Sequence, residues 1–117
     1  MSNTLSPSEL IQQLHQGPVA FNQVIATIEH YYTFTPTKFV NGSQANEAGQ
    51  NNGSCKIFAF AKWHNLDSQT TLNAFGDFYT HDVLGFPDAT DHQNIRQFML
   101  HGWAGIRFSD EALKEKA

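Results

Sequence analysis

Apolar positions in this chain recur mostly at three- and four-residue intervals, the period of helices that bury one face. Ser6, Pro7 and Glu9 compose a helix start: a hydroxyl cap, a proline at the first helical position and a capping-box glutamate. Leu10, Ile11 and Leu14 follow as one stripe, and Gly17-Pro18 ends it. Phe21, Val24, Ile25, Ile28 and Tyr32 predict a second helix over 19–32. The pattern then changes. Residues 33–40 are rich in Thr and Phe and read as extended chain, with Pro36 allowing at most an edge strand.

Residues 41–54, NGSQANEAGQNNGS, read as one long polar loop that opens on an Asn41-Gly42 turn. Ser54 then suits the cap of a third helix over 55–64, although the apolar run Ile57–Ala61 also fits a buried strand. Ser68 opens a fourth helix, with Leu72, Phe75, Tyr79 and Val83 on one face and Gly85 and Pro87 beyond its end. Asp91 opens a fifth, turning Ile95, Phe98 and Met99 inward, with Gly102 as its stop. Residues 106–108 read as a short extended piece. Ser109 starts a last helix, with Asp110 and Glu111 in its first turn and Lys114 and Lys116 later, the order a helix dipole prefers. The prediction is a single mainly α domain over 1–117, with about six helices and at most two short strands. An α+β arrangement is the alternative.

Composition agrees with one self-sufficient domain. The chain has 117 residues, 40% of them apolar, with ten Phe, three Tyr and two Trp, enough for a core without disulfide or metal. Charged residues make up 15%, against about 25% on average, and Asn, Gln, Ser and Thr take their place. The net charge of −4 and the scattering of Lys38, Lys56, Lys62, Arg96, Arg107, Lys114 and Lys116 argue against a nucleic-acid partner. A lone cysteine, Cys55, fits a reducing compartment. Neither a secretory leader nor a membrane-spanning run is visible, so a cytoplasmic protein is expected.

Several residues carry candidate chemistry. Cys55 would lie in the first turn of the third helix, where the dipole and Lys56 favour a thiolate, and His92 with Asn94 would supply a base and its orienter. Against this Cys–His hydrolase or transferase stands the common lot of a lone cysteine, burial as a small hydrophobe. Asn41, Asn46 and Asn51 offer uncharged donors and acceptors that suit either a polar ligand or a loop bonded to itself. Ser54 joins them as a cap or a binding hydroxyl. Arg96, among apolar neighbours, suits an anchor for the Asn-rich loop or for an Asp, or a site for an anion. Tyr79 and Trp103 are core aromatics that can also line a pocket. Of six histidines, His15, His30, His64 and His101 fall at helix ends, where the dipole accounts for them. His81-Asp82 and Asp91-His92 can come together, but no metal-binding spacing is present and no cofactor is implied.

NGSQANEAGQNNGSCK over 41–56, TL at Thr71-Leu72, DHQNIR over 91–96 and HGWAGIRF over 101–108 resemble the HopJ family, small proteins named for type III secretion into plant cells. The resemblance implies a setting but no reaction, cofactor or catalytic residue. It makes a non-enzymatic protein the leading expectation, one that binds a protein or a polar small molecule through the 41–56 loop and the 91–96 segment. Asn41, Asn46, Asn51, Ser54, Lys56, Tyr79, Arg96 and Trp103 are the candidate contacts. The sequence shows no evident export segment, so a resident cytoplasmic ligand-binding role stands beside delivery as an effector.

Overall fold

A computed structural model of the chain describes residues 4–116. Helix α1 (Pro7–Gln16) begins on the expected capping box: Glu9 N–H donates to Ser6 Oγ at 3.2 Å, and Ser6 N–H donates to Glu9 Oε1 at 3.1 Å. Helix α2 (Phe21–Tyr31) follows and buries Val24, Thr27 and Ile28. Helix α3 (Asn52–Trp63) is the centre of the molecule. It buries Cys55, Ile57, Phe58, Ala59, Phe60 and Ala61 in succession, which leaves it little polar face. That explains the strand-like apolar run: a helix covered on nearly all sides loses its periodic signal.

The remaining elements correct the mainly α expectation to α+β. Two antiparallel sheets are present among the described residues. β1 (Tyr32–Phe34) pairs with β5 (Leu113–Glu115), and β3 (Gln44–Asn46), β2 (Phe39–Asn41) and β4 (Ile106–Phe108) form the second sheet in that order. Residues 33–40 thus serve two sheets, with Pro36 lying between the strands. β2 is a central strand, because the proline falls outside it.

The last segment is also a strand and not a helix. Leu113 lies opposite Phe34, and Ala112 and Leu113 are buried, so tertiary pairing overrides a helix-like charge order. The long loop at 41–54 is likewise shorter than expected. Gly42 and Ser43 turn a two-residue hairpin between β2 and β3, with Gly42 at φ 61°, the left-handed first position a II′ turn requires. A Cβ on Gly42 would sit 2.5 Å from Gln97 Oε1 and from the His101 ring, so glycine also lets the turn lie against the next helix along. Helix α3 starts at Asn52, which places Ser54 inside it and not at its cap.

The fourth predicted helix divides. α4 (Ser68–Asn73), capped by Asp67 through Thr70 N–H at 2.7 Å, ends before Gly76, and Phe78–Val83 form a π-helical segment. Leu72, Phe75, Tyr79 and Val83 are nevertheless all buried, so the predicted face is right although the helix is broken. Helix α5 (Gln93–His101) starts two residues after Asp91 and buries Asn94, Ile95 and Phe98. Met99, expected inward, is exposed, since Asn94 takes the inward position that the apolar pattern alone would not assign to an amide. A 3₁₀ turn (Gly102–Gly105) leads into β4.

The two-stranded sheet is fastened to α3 by one polar contact. Tyr32 Oη and His64 Nε2 lie 2.6 Å apart beneath it. Burial pushes the His64 imidazole below its ordinary value, opposed by Glu115, and raises the Tyr32 phenol. A folded state that holds this imidazole neutral takes up fewer protons than the unfolded chain, so stability falls as pH drops below the ordinary histidine range near ~6.5. The urea midpoint is therefore expected to be lower at about pH 5.5 than at about pH 7.5, with His64→Gln flattening the difference. An unchanged pH dependence in that variant would remove His64 as the cause.

Candidate functional site

The hairpin and α5 are joined by carboxamides. Asn41 Nδ2 donates to the Asn94 carbonyl at 2.6 Å and to Asn94 Oδ1 at 3.2 Å. Asn46 Nδ2 donates to the same Oδ1 at 3.1 Å, while Asn46 Oδ1 accepts from Asn94 Nδ2 at 2.9 Å and from Asn51 Nδ2 at 2.7 Å. Asn41 and Asn46 are fully buried and Asn94 nearly so. Asn41 Oδ1 is left without a partner, a cost the other bonds must offset. The polar loop is thus bonded to itself and to α5, and these asparagines form the floor of the region, not its exposed surface.

Above this floor lies a cleft of about 440 Å³ between the start of α3 and the start of α5. Asn51, Gly53 and Ser54 line one side, His92, Gln93, Asn94 and Ile95 the other, Gln44 adds a carboxamide, and Phe21, Phe75 and Phe78 form an aromatic wall. Asn51 and His92 precede the two helices with nearly the same left-handed backbone, φ 51° and 50°. Neither supplies a side-chain cap, so the first N–H groups of both helices remain unsatisfied within the described chain. Such left-handed-to-helical junctions aim successive N–H groups into one concavity. Gly53 is required on steric grounds: a Cβ there would meet the Phe21 ring at 2.7 Å.

One edge of the cleft is a histidine–carboxylate cluster. His92 Nε2 and Asp82 Oδ2 are 3.0 Å apart, His81 Nδ1 and Asp82 Oδ1 are 3.0 Å apart, and Asp91 Oδ2 is 3.9 Å from His92. The His81 and His92 contacts hold the Asp82 carboxyl below its ordinary value, His81 contributing most. His81, Asp82, Asp91 and His92 do come together. No group of three or more His, Cys, Asp or Glu side chains among the described residues is arranged to hold a metal ion.

The other sequence candidates sort by position. Asn51, Ser54, His92 and Asn94 reach the cleft, and Asn41 and Asn46 support it from below. Lys56 lies outside, bonded to Glu29 Oε2 at 2.8 Å and set over the Phe34 ring at 5.0 Å, where it staples α3 to α2 and β1. Tyr79 is core, and Trp103 donates its indole N–H to the Leu66 carbonyl at 2.8 Å while its ring packs on Phe58 and Phe98. Arg96 anchors the loop that precedes its helix. It donates to the Asp91 carbonyl and carboxylate at 2.6 and 2.7 Å and to the Phe86 and Pro87 carbonyls at 3.0 and 3.3 Å. Gln44, Gly53, Gln93 and the three wall phenylalanines were not among the sequence candidates. The phenylalanines carry the same helical periodicity as core residues, which hides them.

Cys55 faces the other way. It is 1% exposed, and its thiol donates to the Thr37 carbonyl at 3.7 Å. Burial pushes it up to about 11, more than the helix start and Lys56 can offset. The thiol makes no hydrogen bond to His92, whose ring is engaged with Asp82. The arrangement lacks the accessible thiolate and paired base that a Cys–His enzyme needs.

The fold and site describe a small α+β protein with a neutral, amide-lined cleft. The family model of the HopJ type III effector protein matches residues 7–113, nearly the whole chain, and the protein belongs to that family. A crystal structure described as that of "unknown function protein VPA0580" is 45% identical, with 99% of this chain and 98% of that chain covered and a TM-score of 0.94. No curated protein matches. Among the described residues no helix is long and apolar enough to cross a membrane.

Two outcomes follow from the geometry. Asn94→Ala leaves the Asn41 and Asn46 amides short of partners in the interior and should cost about 2–4 kcal/mol in urea denaturation. Cys55 should resist a thiol reagent such as dithionitrobenzoate in the folded protein and react fully in denaturant; rapid reaction under native conditions would contradict its burial.

Proposed function

We propose that this HopJ-family effector-type protein acts by binding and not by catalysis, through the cleft between the starts of α3 and α5. The ligand it suits is a small molecule or chain end that joins an anionic or strongly accepting group to a flat apolar part. The observation that carries this reading is the convergence of two unsatisfied helix starts on one concavity walled by Phe21, Phe75 and Phe78. Helix N-termini and nests of N–H groups favour an acceptor or anion, and the aromatic wall favours a planar group. No carboxylate lines the cleft to oppose an anion. The burial of Cys55 supports binding over thiol chemistry.

The family's description supports a role in type III delivery. Fusing the N-terminal segment to a translocation reporter tests that point separately, and retention of the fusion would favour a resident role.

Titrating isotope-labelled protein with benzoate, and with benzamide as the uncharged control, tests the binding reading. Benzoate should shift the amide signals of Gly53, Ser54, Gln93 and Asn94 with an affinity on the order of millimolar, and benzamide should shift them less. Ser54→Phe, which fills the cleft from one side, should suppress the shifts while leaving the spectrum folded. Equal response to both compounds, or shifts elsewhere, would overturn the assignment.

A further inference from the structure

A second surface, on the far side of α5's first turn, has no part in that cleft apart from the shared Gln93. Helix α5 turns Ile95 and Phe98 inward, which leaves Met99 43% and Leu100 73% exposed. Beside them the π-helical segment and the chain after it present Leu84 at 48% and Phe86 at 58%. Between these two walls runs a groove of about 340 Å³, lined by Val83, Leu84, Pro87, Arg96, Met99 and Leu100. Exposed aliphatic side chains are ordinary when scattered; gathered along one groove on a single-domain protein, they mark an interaction site.

The groove is firmly built. Its base is Arg96, whose side chain is only 10% exposed and whose guanidinium bonds to the carbonyls of Phe86, Pro87 and Asp91 and to the Asp91 carboxylate. Those bonds hold the 84–91 loop against α5, so both walls are in place before any partner arrives.

The charge around the groove selects the partner. Asp82 precedes the lining residue Val83, Asp88 follows the lining residue Pro87, and Asp91 is paired with Arg96. Three carboxylates therefore border an apolar channel whose one permanent cation is already engaged, in a chain of net charge −4. Another copy of this chain would bring the same excess of negative charge to the contact. A basic partner would not.

We propose that this groove docks an amphipathic helix of a partner protein, whose apolar stripe lies along Leu84, Met99 and Leu100 and whose flanking Lys or Arg residues face Asp82, Asp88 and Asp91. This is helix-in-groove recognition with electrostatic selection of the partner.

Two synthetic helical peptides of Leu and Lys, and of Leu and Glu, with identical apolar stripes, provide the probes. Binding is read by fluorescence anisotropy and mapped on labelled full-length protein. The Lys peptide should bind, with shifts centred on Leu84, Phe86, Met99 and Leu100, and the Glu peptide should bind at least ~10-fold more weakly. Leu100→Glu should weaken the Lys peptide ~10-fold or more, and Asp88→Lys severalfold. Both positions are exposed, and unchanged melting temperatures confirm that the fold is kept. Equal binding of the two peptides, shifts confined to the α3–α5 cleft, or Lys-peptide binding indifferent to Leu100→Glu would overturn the proposal. So would concentration-dependent dimerisation of the wild type that Leu100→Glu abolishes, since the occupant would then be a second copy.

Discussion

The arrangement of this protein depends on a buried carboxamide, that of Asn94. It meets Asn41 and Asn46 from the first helical turn of α5 and so fixes the β2–β3 hairpin to that helix. Because Asn46 also receives Asn51, the same network sets where the chain turns into α3. Two helices far apart in sequence thus begin side by side through hydrogen bonds that none of them could make alone. An interior amide is costly when unpaired, so the network constrains the geometry more strongly than an apolar contact of equal area would.

This constraint reverses the usual division between core and site. The asparagines that read as exposed binding groups are mostly the support, and the groups left free above them are backbone N–H. A hydrogen bond spent on Asn41 or Asn46 cannot also be offered to a ligand. The unsatisfied helix starts follow from the left-handed conformations at Asn51 and His92, which turn their own side chains away from the capping position. Local backbone strain at both junctions thus coincides with the cleft, a pairing often found where function requires a defined geometry.

The legibility of the sequence followed the range of the interactions involved. Short-range features read through: the Ser6–Glu9 box, the stripes of α1 and α2, the buried face of Leu72, Phe75, Tyr79 and Val83, and the histidines at the ends of α1, α2, α3 and α5. The family resemblance read through as well. What failed needed a distant partner. Leu113–Glu115 is a strand because β1 lies beside it, and Gln44–Asn46 is a strand because β2 does; neither has a strand-like pattern of its own. The cleft was half legible, through Asn51, Ser54, His92 and Asn94. Its aromatic wall was not, since periodicity cannot separate a phenylalanine in the core from one at the rim of a cavity.

The amide junction has one further consequence. Carboxamides neither gain nor lose protons, so the fastening that places the starts of α3 and α5 is indifferent to acidity. The Tyr32–His64 contact, which secures the two-stranded sheet, is not. Acid would therefore loosen the molecule from one side only, the β1–β5 edge, while the cleft keeps its register. Resistance of the recognition surface and compliance of the opposite flank are thus built from two kinds of polar group in one small core.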